Sequence, residues 1–395
     1  MKIDELALQR SKYKHLSDDE WRWFLQQVEG RERTADKLPT FASIPDWWYP
    51  VRLSCEQCSS EETARYKASL IHSLPHSLTP SFADLTGGYG VDTYFLSEGF
   101  EHTDYVEQNA ELCRIAEHNL NVQRDHVQGT KVAIHNSSAE EFLQTAGQYD
   151  LIFLDPARRD SHGGKVFRLE DCTPNVVELL PTLLAHLSPH GRILLKLSPM
   201  LDLTQALLHL TPYTLHLTWD VHVVAVKNEV KEVLLLSHQQ SEISRQPLIT
   251  AIDLSKKDQA FVFTREEESN SEATFHSFTH SLIHTFLYEP NAAILKAGAY
   301  KLVAQRFGLQ KLDANTHLYA SDTLVPNFPG RVWQIKSERV DVERMKGEQA
   351  NILVRNYPLT PEQLKKKYRL KDGGESYLIG CRVNGKPTLF EAERI

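Results

Sequence analysis

The residues best suited to bind a ligand form the stretch Asp84-Leu-Thr-Gly-Gly-Tyr-Gly-Val-Asp92. Residues 82–85, which include the first two residues of this stretch, predict a short β-strand, and the residues after the turn, through Leu96, predict a helix. Glycines in such a turn adopt positive φ angles and let backbone amides approach a ligand closely. The pattern of strand, glycine-rich turn and helix therefore predicts a binding site at this turn.

Two ligand classes fit such a turn, dinucleotides and S-adenosylmethionine. The dinucleotide fingerprint G-x-G-x-x-G, counted from Gly88, requires a glycine where this chain has Thr93. The carboxylate of Asp84, just before the turn, repels a pyrophosphate but attracts the ammonium group of an amino acid. Glu107, 23 residues later, ends the predicted second strand and can accept hydrogen bonds from a ribose diol of either ligand. The charge at Asp84 favours S-adenosylmethionine.

A second candidate site follows the predicted strand 151–154, in the loop Asp155-Pro-Ala-Arg-Arg159. Reacting groups in open α/β sheets gather at the carboxyl ends of the strands. We predict that Asp155 orients the acceptor of the transferred group or removes its proton. We also predict that three arginines bind the phosphate groups of the substrate, namely Arg158, Arg159 and Arg168. The alternative is that these arginines pair with nearby acids, Asp160, Glu170 and Asp171.

The elements that position these residues alternate between short apolar strands and amphipathic helices over residues 76–237. This alternation predicts a doubly wound α/β sheet with helices on both faces. Residues 221–226 and 232–236 form two strands whose five-residue connection is too short for a helical crossover. The last strand must therefore run antiparallel, which gives the seven-stranded variant of the fold.

The flanking regions predict further domains. The pattern of residues 1–75 predicts helices. Capping boxes at Ser17 and Ser59 predict where two of them begin, and Gly30 is predicted to end the first long helix. Residues 238–330 predict a small α+β unit with a hairpin at 248–264 and a helix from Pro290 to Arg306. Residues 331–395 predict another such unit, in which Asn384-Gly385 forms a hairpin turn.

Charge is distributed unevenly along the 395 residues, whose formal net charge is −8. Residues 331–395 contain fourteen Lys and Arg against nine Asp and Glu, a net of +5 that leaves −13 on the rest. A uniformly basic coat is excluded, so any nucleic-acid site must be local. The five cysteines, the absence of an apolar signal core and the absence of a long apolar run predict a cytoplasmic protein without a membrane span.

With these motifs, residues 80–237 resemble a class I S-adenosylmethionine-dependent methyltransferase. The resemblance implies that Thr86, Gly87, Gly88 and Gly90 wrap the methionine part of the cofactor and that Glu107 holds its ribose. In this family an Asp after the third strand often contacts the adenine. Here Ser138 occupies that place.

Several longer segments resemble a narrower group, the bacterial class I methyltransferases with a C-terminal THUMP-like domain. These segments are residues 56–67, 155–159, 166–171, 229–232 and 288–298, together with the basic C-terminal region. The resemblance implies that residues 331–395 form the THUMP-like unit. Because true THUMP domains help modifying enzymes hold tRNA or rRNA, RNA is the implied substrate.

Other chemistries fit less well. The 5-methyluridine RNA methyltransferases, which the Asp155 loop also resembles, need a cysteine nucleophile after the next strand, where this chain has Lys196-Leu-Ser-Pro-Met200. Cys55 and Cys58 have metal-like spacing but no second pair, so no metal is expected. Direct in-line transfer to RNA is the main hypothesis. A non-catalytic protein that binds RNA or a partner, and a small-molecule methyltransferase, are the alternatives.

Overall fold

A computed structural model describes residue 6 and residues 8–73, 80–124, 131–158, 169–210, 217–239, 246–275, 282–338 and 340–395. The chain forms two compact units. The first comprises residues 1–219 and 234–245, and the second comprises residues 220–233 and 246–395.

Helices and strands alternate through most of the described chain. The helices are α1 (Asp18–Thr34), α2 (Pro39–Ser43), α3 (Arg52–Gln57), α4 (Glu61–His72), α5 (Val91–Leu96), α6 (Ala110–Arg124), α7 (Ala139–Leu143), α8 (Val176–Ala185), α9 (Leu203–Leu210), α10 (Arg265–Asn270), α11 (Ala292–Ala297), α12 (Leu302–Phe307), α13 (Val342–Met345) and α14 (Pro361–Tyr368). Within the ranges given above, none of them has both the length and the apolar character needed to cross a bilayer.

The strands belong to two large sheets. The first sheet contains β1 (Ser81–Asp84), β2 (His102–Val106), β3 (Lys131–His135), β4 (Tyr149–Leu154), β5 (Leu187–Leu197), β6 (Leu217–Val226), β7 (Glu229–Gln239), β8 (Ile249–Asp253) and β9 (Phe261–Phe263). The second contains β10 (Phe286–Pro290), β11 (Gln310–Asp313), β12 (Thr316–Ser321), β13 (Gly330–Ser337), β14 (Asn351–Arg355), β15 (Ser376–Val383) and β16 (Lys386–Arg394). A separate two-residue pair joins Ala157–Arg158 to Cys172–Thr173.

The first sheet has the strand order β9-β8-β6-β7-β5-β4-β1-β2-β3. Strands β1 to β5 pair in parallel. The turn at Lys227 and Asn228, both with positive φ, returns the chain directly, so β7 runs antiparallel to β6. The predicted doubly wound sheet with an antiparallel last strand is confirmed. The predicted hairpin at 248–264 forms β8 and β9, and it lengthens this sheet because β8 pairs in parallel with β6.

Local predictions in the N-terminal helices need two corrections. Helix α1 does not end at Gly30 but runs on to Thr34. A Cβ at Gly30 would lie 2.3 Å from the Cβ of Tyr49, so this glycine permits close packing and does not end the helix. Helix α4 is capped by Ser60, whose side chain accepts from the Thr63 amide. Ser59 was predicted for that place, but its hydroxyl is hydrogen-bonded elsewhere.

The second sheet has the order β11-β12-β10-β13-β16-β15-β14 and buries Trp333 in its core. Asn384 and Gly385 both have positive φ between β15 and β16, which confirms the predicted hairpin. The predicted helix from Pro290 to Arg306 is wrong as one element, because Gly298 at φ +83° ends α11 and a second helix, α12, follows.

A buried acid ties three strands of the second sheet together. Glu289 on β10 forms ion pairs with Arg331 on β13 and with Arg355 near the end of β14, and only 2% of its side chain is exposed. Removing a buried partner leaves the opposing charges uncompensated, which costs more than losing an exposed pair.

We therefore expect Glu289→Gln to lower the free energy of unfolding of the second unit by about 2 kcal/mol. The measurement is urea unfolding followed by tryptophan fluorescence. The control is Glu393→Gln, which removes the exposed partner of Lys336 in the same sheet and should change stability by under ~0.5 kcal/mol. Equal midpoints for the two variants would contradict this account.

Candidate functional site

A cavity of about 370 Å³ opens at the carboxyl ends of β1, β2, β4 and β5. Seven of the residues predicted from the sequence line it, namely Asp84, Thr86, Gly87, Gly88, Gly90, Glu107 and Asp155. They come from three separate strands and the turn after β1. Parallel strands end at the same edge of a sheet, which is why positions far apart in sequence meet here.

The glycine turn is held in place by Tyr105. A Cβ on Gly87 would lie 2.1 Å from the Cε2 atom of Tyr105, so no larger residue fits without displacing that ring. The Tyr105 hydroxyl donates to the Gly88 carbonyl at 2.6 Å. Gly88 and Gly90 have φ of +54° and +81°, in the left-handed region that favours glycine. The turn therefore favours glycine at all three positions.

Asp84 is buried at the end of β1. One carboxylate oxygen accepts from the Thr86 amide at 3.0 Å, and the other accepts from the Thr93 hydroxyl at 2.6 Å. Burial raises the pKa of Asp84 to about 7, although both hydrogen bonds act in the opposite direction. The charge on this carboxylate therefore changes near neutral pH.

Glu107 links the end of β2 to the turn. Its Oε2 accepts from the Gly88 amide at 2.9 Å, and its Oε1 accepts from the Asn109 amide at 2.8 Å. Each carboxylate oxygen has further acceptor capacity. The side chain is thus fixed by the backbone on both sides while it lines the cavity.

Asp155 lies directly after β4. Its amide donates to the Thr86 hydroxyl at 2.6 Å, which couples the two predicted motifs to each other. Its Oδ2 lies 2.5 Å from the Nζ of Lys196, a residue near the end of β5 that also lines the cavity.

A buried cluster in the wall of the cavity was not predicted from the sequence. It consists of Ser59, Lys67, Asp92 and Lys196. Asp92 accepts from the Ser59 hydroxyl at 2.7 Å, and it lies 3.2 Å from the Nζ of Lys67 and 3.5 Å from that of Lys196. Although burial alone would raise it, the two ammonium groups hold the pKa of Asp92 below its ordinary value.

Two sequence signals point to this cluster. Lys67 lies on the buried face of α4 beside Ala64, Ala68 and Ile71, and Lys196 interrupts the apolar run of β5. A lysine at such a position is buried only when it is paired.

The other predicted residues lie elsewhere or outside the described residues. The Ser138 hydroxyl caps α7 by accepting from the Glu141 amide at 3.1 Å, and its neighbours Ser137 and Ala139 line the cavity. The backbone of Arg158 is described and its side chain is not. Arg159 and Arg168 lie outside the described residues. Within the described part of the chain, no group of three or more His, Cys, Asp or Glu could hold a metal ion.

The cavity suits a cationic adenosyl ligand. Its volume lies within the roughly 300–1,000 Å³ range of small-molecule pockets. Three carboxylates line it from the strand ends, those of Asp84, Glu107 and Asp155, and a fourth belongs to Asp92. Two ammonium groups, those of Lys67 and Lys196, offset only part of this negative charge. The donor set therefore fits S-adenosylmethionine, which carries a sulfonium and an ammonium group, better than it fits a diphosphate.

Gly87→Ala tests the packing of the turn. We expect the variant to bind S-adenosylhomocysteine at least about tenfold more weakly and to lose about 1–3 kcal/mol of stability, because the new methyl group displaces Tyr105. Calorimetric titration and thermal unfolding measure both effects. Gly147→Ala is the control, since a Cβ there meets nothing within 4 Å. An unchanged affinity in Gly87→Ala would refute the packing argument.

The raised pKa of Asp84 predicts that cofactor binding depends on pH. Below its pKa of about 7 the carboxyl is neutral, and above that value it is an anion that attracts the ligand ammonium. The affinity for S-adenosylhomocysteine should therefore rise about tenfold between pH 6 and pH 8, in proportion to the ionised fraction. Calorimetry across this range should show the rise in the native protein and a flat profile in Asp84→Asn. A rise of equal size in both proteins would exclude Asp84 as its source.

Comparisons with known proteins identify two domains in the C-terminal part of the chain and several similar solved structures. Residues 286–329 match a family described as a ferredoxin-like domain, and residues 332–394 match one described as THUMP domain-like. No curated protein matches the sequence. A solved structure from Porphyromonas gingivalis W83, of a protein designated a methyltransferase, is 32% identical. The match covers 96% of this chain and 92% of that chain, with a TM-score of 0.80.

Two other solved structures match a shorter part of the chain. One is a Streptococcus mutans protein designated a methyltransferase, solved in complex with SAH. It is 12% identical, the match covers 44% of this chain and 96% of that chain, and the TM-score is 0.33. The other is an rRNA methylase from Streptococcus thermophilus, at 12% identity over 45% of this chain and 94% of that chain, TM-score 0.31. By its likeness to the Porphyromonas gingivalis protein over nearly its whole length, and by its C-terminal domain match, the chain belongs to the class I S-adenosylmethionine-dependent methyltransferases with a C-terminal THUMP-like domain.

Proposed function

We propose that this protein methylates RNA, either tRNA or rRNA, by direct in-line transfer from S-adenosylmethionine. The observation that carries the enzymatic part is the shared cavity, in which Asp155 lies beside the glycine turn and is hydrogen-bonded to Thr86. A partly exposed carboxylate beside the expected methyl donor supports a catalyst over a protein that only binds. The cytoplasm, where such RNA is modified, is the proposed compartment.

Each residue of the site has a proposed task. Asp84 and the turn at Thr86, Gly87, Gly88 and Gly90 hold the methionine part of the cofactor, Glu107 holds the ribose, and Ser138 lies near the adenine. The bound cofactor supplies a methyl group activated by a sulfonium. Asp155 orients the acceptor atom and takes up its proton, so that most of the rate enhancement comes from alignment. The substrate phosphates are assigned to Arg158, Arg159 and Arg168.

Cys58 also lines the cavity, but burial raises the pKa of its thiol. The thiolate is the nucleophilic form of cysteine, so this residue is poorly suited to attack a base. Direct transfer therefore remains the favoured mechanism.

The proposed RNA-binding surface lies in the THUMP-like domain, at the end of α14. Leu364 and Tyr368 are buried and anchor this helix against β14 and β15. The end of the helix and the residues just after it thereby present a set of exposed cations to solvent, namely Lys366, Lys367, Arg369 and Lys371. We define these four residues as the basic patch. Exposed Lys and Arg neutralise phosphates and release counterions, which makes binding depend on salt.

Lys366→Ala/Lys367→Ala tests the patch. We expect weaker binding to tRNA or rRNA and a reduction of the salt slope by about 1.4 to 1.8, since each phosphate contact contributes about 0.7 to 0.9. Filter binding at several salt concentrations measures both effects. Arg22→Ala/Lys131→Ala removes two exposed charges of the first unit and is the matched control. Equal losses in both double variants would mean that the patch has no special role.

Methyl transfer is tested with tritiated S-adenosylmethionine and total RNA from a strain in which the gene is deleted. Incorporation that Asp155→Ala abolishes, with S-adenosylhomocysteine affinity retained, supports the proposal. RNA binding without incorporation would favour the non-catalytic alternative. Turnover of small molecules with no affinity for RNA would favour the small-molecule methyltransferase.

A further inference from the structure

We infer that the methyl acceptor is a hydroxyl group, the 2′-hydroxyl of an RNA ribose, and that Lys196 beside Asp155 selects it. The inference rests on the proposed function, because it specifies which atom of the RNA reacts. It comes from the contacts of Asp155, from the buried cluster behind it and from the aromatic residues of the cavity.

The first observation is that the Asp155 carboxylate lines the cavity as part of an ion pair with the Lys196 ammonium group. Its Oδ2 lies 2.5 Å from the Nζ of Lys196, and 38% of its side chain is exposed. The side chain of Lys196 is only 11% exposed. Any acceptor atom that reaches the carboxylate from the cavity therefore also meets the positive potential of a poorly hydrated ammonium group.

The second observation is that the ammonium is held in place from behind. Asp92 lies 3.5 Å from the Nζ of Lys196 and 3.2 Å from that of Lys67, which is completely buried. The Ser59 hydroxyl donates to the same carboxylate. Moving Lys196 away would leave Asp92 less well compensated in a buried environment, which is costly. Lys67 and Asp92 are thus positioning residues for Lys196.

The third observation concerns the flat surfaces that would hold a base. Proteins bind an unpaired base by stacking it on exposed aromatic or guanidinium faces. Of the residues described in the cavity lining, the aromatic ones are Tyr89 and Phe153, which are 5% and 1% exposed. Their rings are packed inside the protein and offer no such face. The described lining therefore offers no aromatic face on which the base of an acceptor nucleotide beside Asp155 could stack, which favours a sugar atom as the methyl acceptor.

Lone pairs decide between the acceptor types. A ring nitrogen or an exocyclic amine has at most one lone pair, and an ammonium next to it competes for the pair that must attack the methyl group. A hydroxyl oxygen has two lone pairs and one proton. It can accept a hydrogen bond from Lys196, donate its proton to Asp155 and still present a lone pair to the methyl carbon. In an internal RNA nucleotide the ribose offers one free hydroxyl, at the 2′ position.

The step balances with these groups alone. The hydroxyl oxygen forms a bond to the methyl carbon while the carbon–sulfur bond breaks, and the electron pair of that bond stays on sulfur. The sulfonium becomes a neutral thioether, S-adenosylhomocysteine. The hydroxyl proton, which becomes strongly acidic as the new bond forms, passes to the Asp155 carboxylate and from there to water. Lys196, whose Nζ lies 2.5 Å from the Asp155 Oδ2, holds the carboxylate aligned before the transfer.

The test is to find where the label resides after transfer from tritiated S-adenosylmethionine to total RNA, using the native full-length protein. Alkali cleaves RNA by attack of the 2′-oxygen, so a 2′-O-methylated nucleotide survives in an alkali-stable dinucleotide. We expect the label in dinucleotides. Label in mononucleotides would overturn the hydroxyl assignment and leave the proposed function intact. An absence of label from all RNA would overturn both.

Lys196→Met adds a second measurement. We expect at least about a 100-fold loss of transfer with the affinity for S-adenosylhomocysteine changed by less than about threefold, since the lysine acts on the acceptor. Lys196→Arg keeps the charge and should recover part of the rate. Full activity in Lys196→Met would overturn the role of the lysine. The position of the label in the native protein decides the acceptor even if Lys196→Met does not fold.

Discussion

The candidate site depends on one chain of charged contacts, which runs from the buried groups of Lys67, Asp92 and Lys196 to the partly exposed carboxylate of Asp155. It begins on a helix of the N-terminal region, passes through the helix after the glycine turn and ends at the strand edge where the cavity opens. Buried ions remain buried only when they are paired, so each member constrains the next. The N-terminal helices are therefore part of the site and not a separate appendage.

Much of the fold could be predicted from the sequence because its signals are local. The glycine turn, the apolar strands and the short connection before β7 each act within a few residues, and the sheet confirms them. The same holds for the Asn384-Gly385 hairpin. The turn and the Asp155 loop also lie at one cavity, as expected of strand ends in a parallel sheet.

The features that could not be predicted depend on tertiary contacts. Gly30 resembles a helix end, but its missing side chain serves the packing of Tyr49. Ser59 resembles a helix cap, but its hydroxyl bonds to Asp92, 33 residues later. No pattern in the sequence states that Lys67 and Lys196 share one carboxylate. Such pairings are set by the arrangement of α4, α5 and β5, which a local pattern does not specify.

The most direct test of the account is a crystal structure of the protein with S-adenosylhomocysteine bound. The account predicts that the ligand lies along the glycine turn, with its ribose hydroxyls on Glu107 and its sulfur facing the Asp155–Lys196 pair. A ligand bound elsewhere, or bound with its sulfur turned away from Asp155, would contradict the assignment of this cavity as the active site.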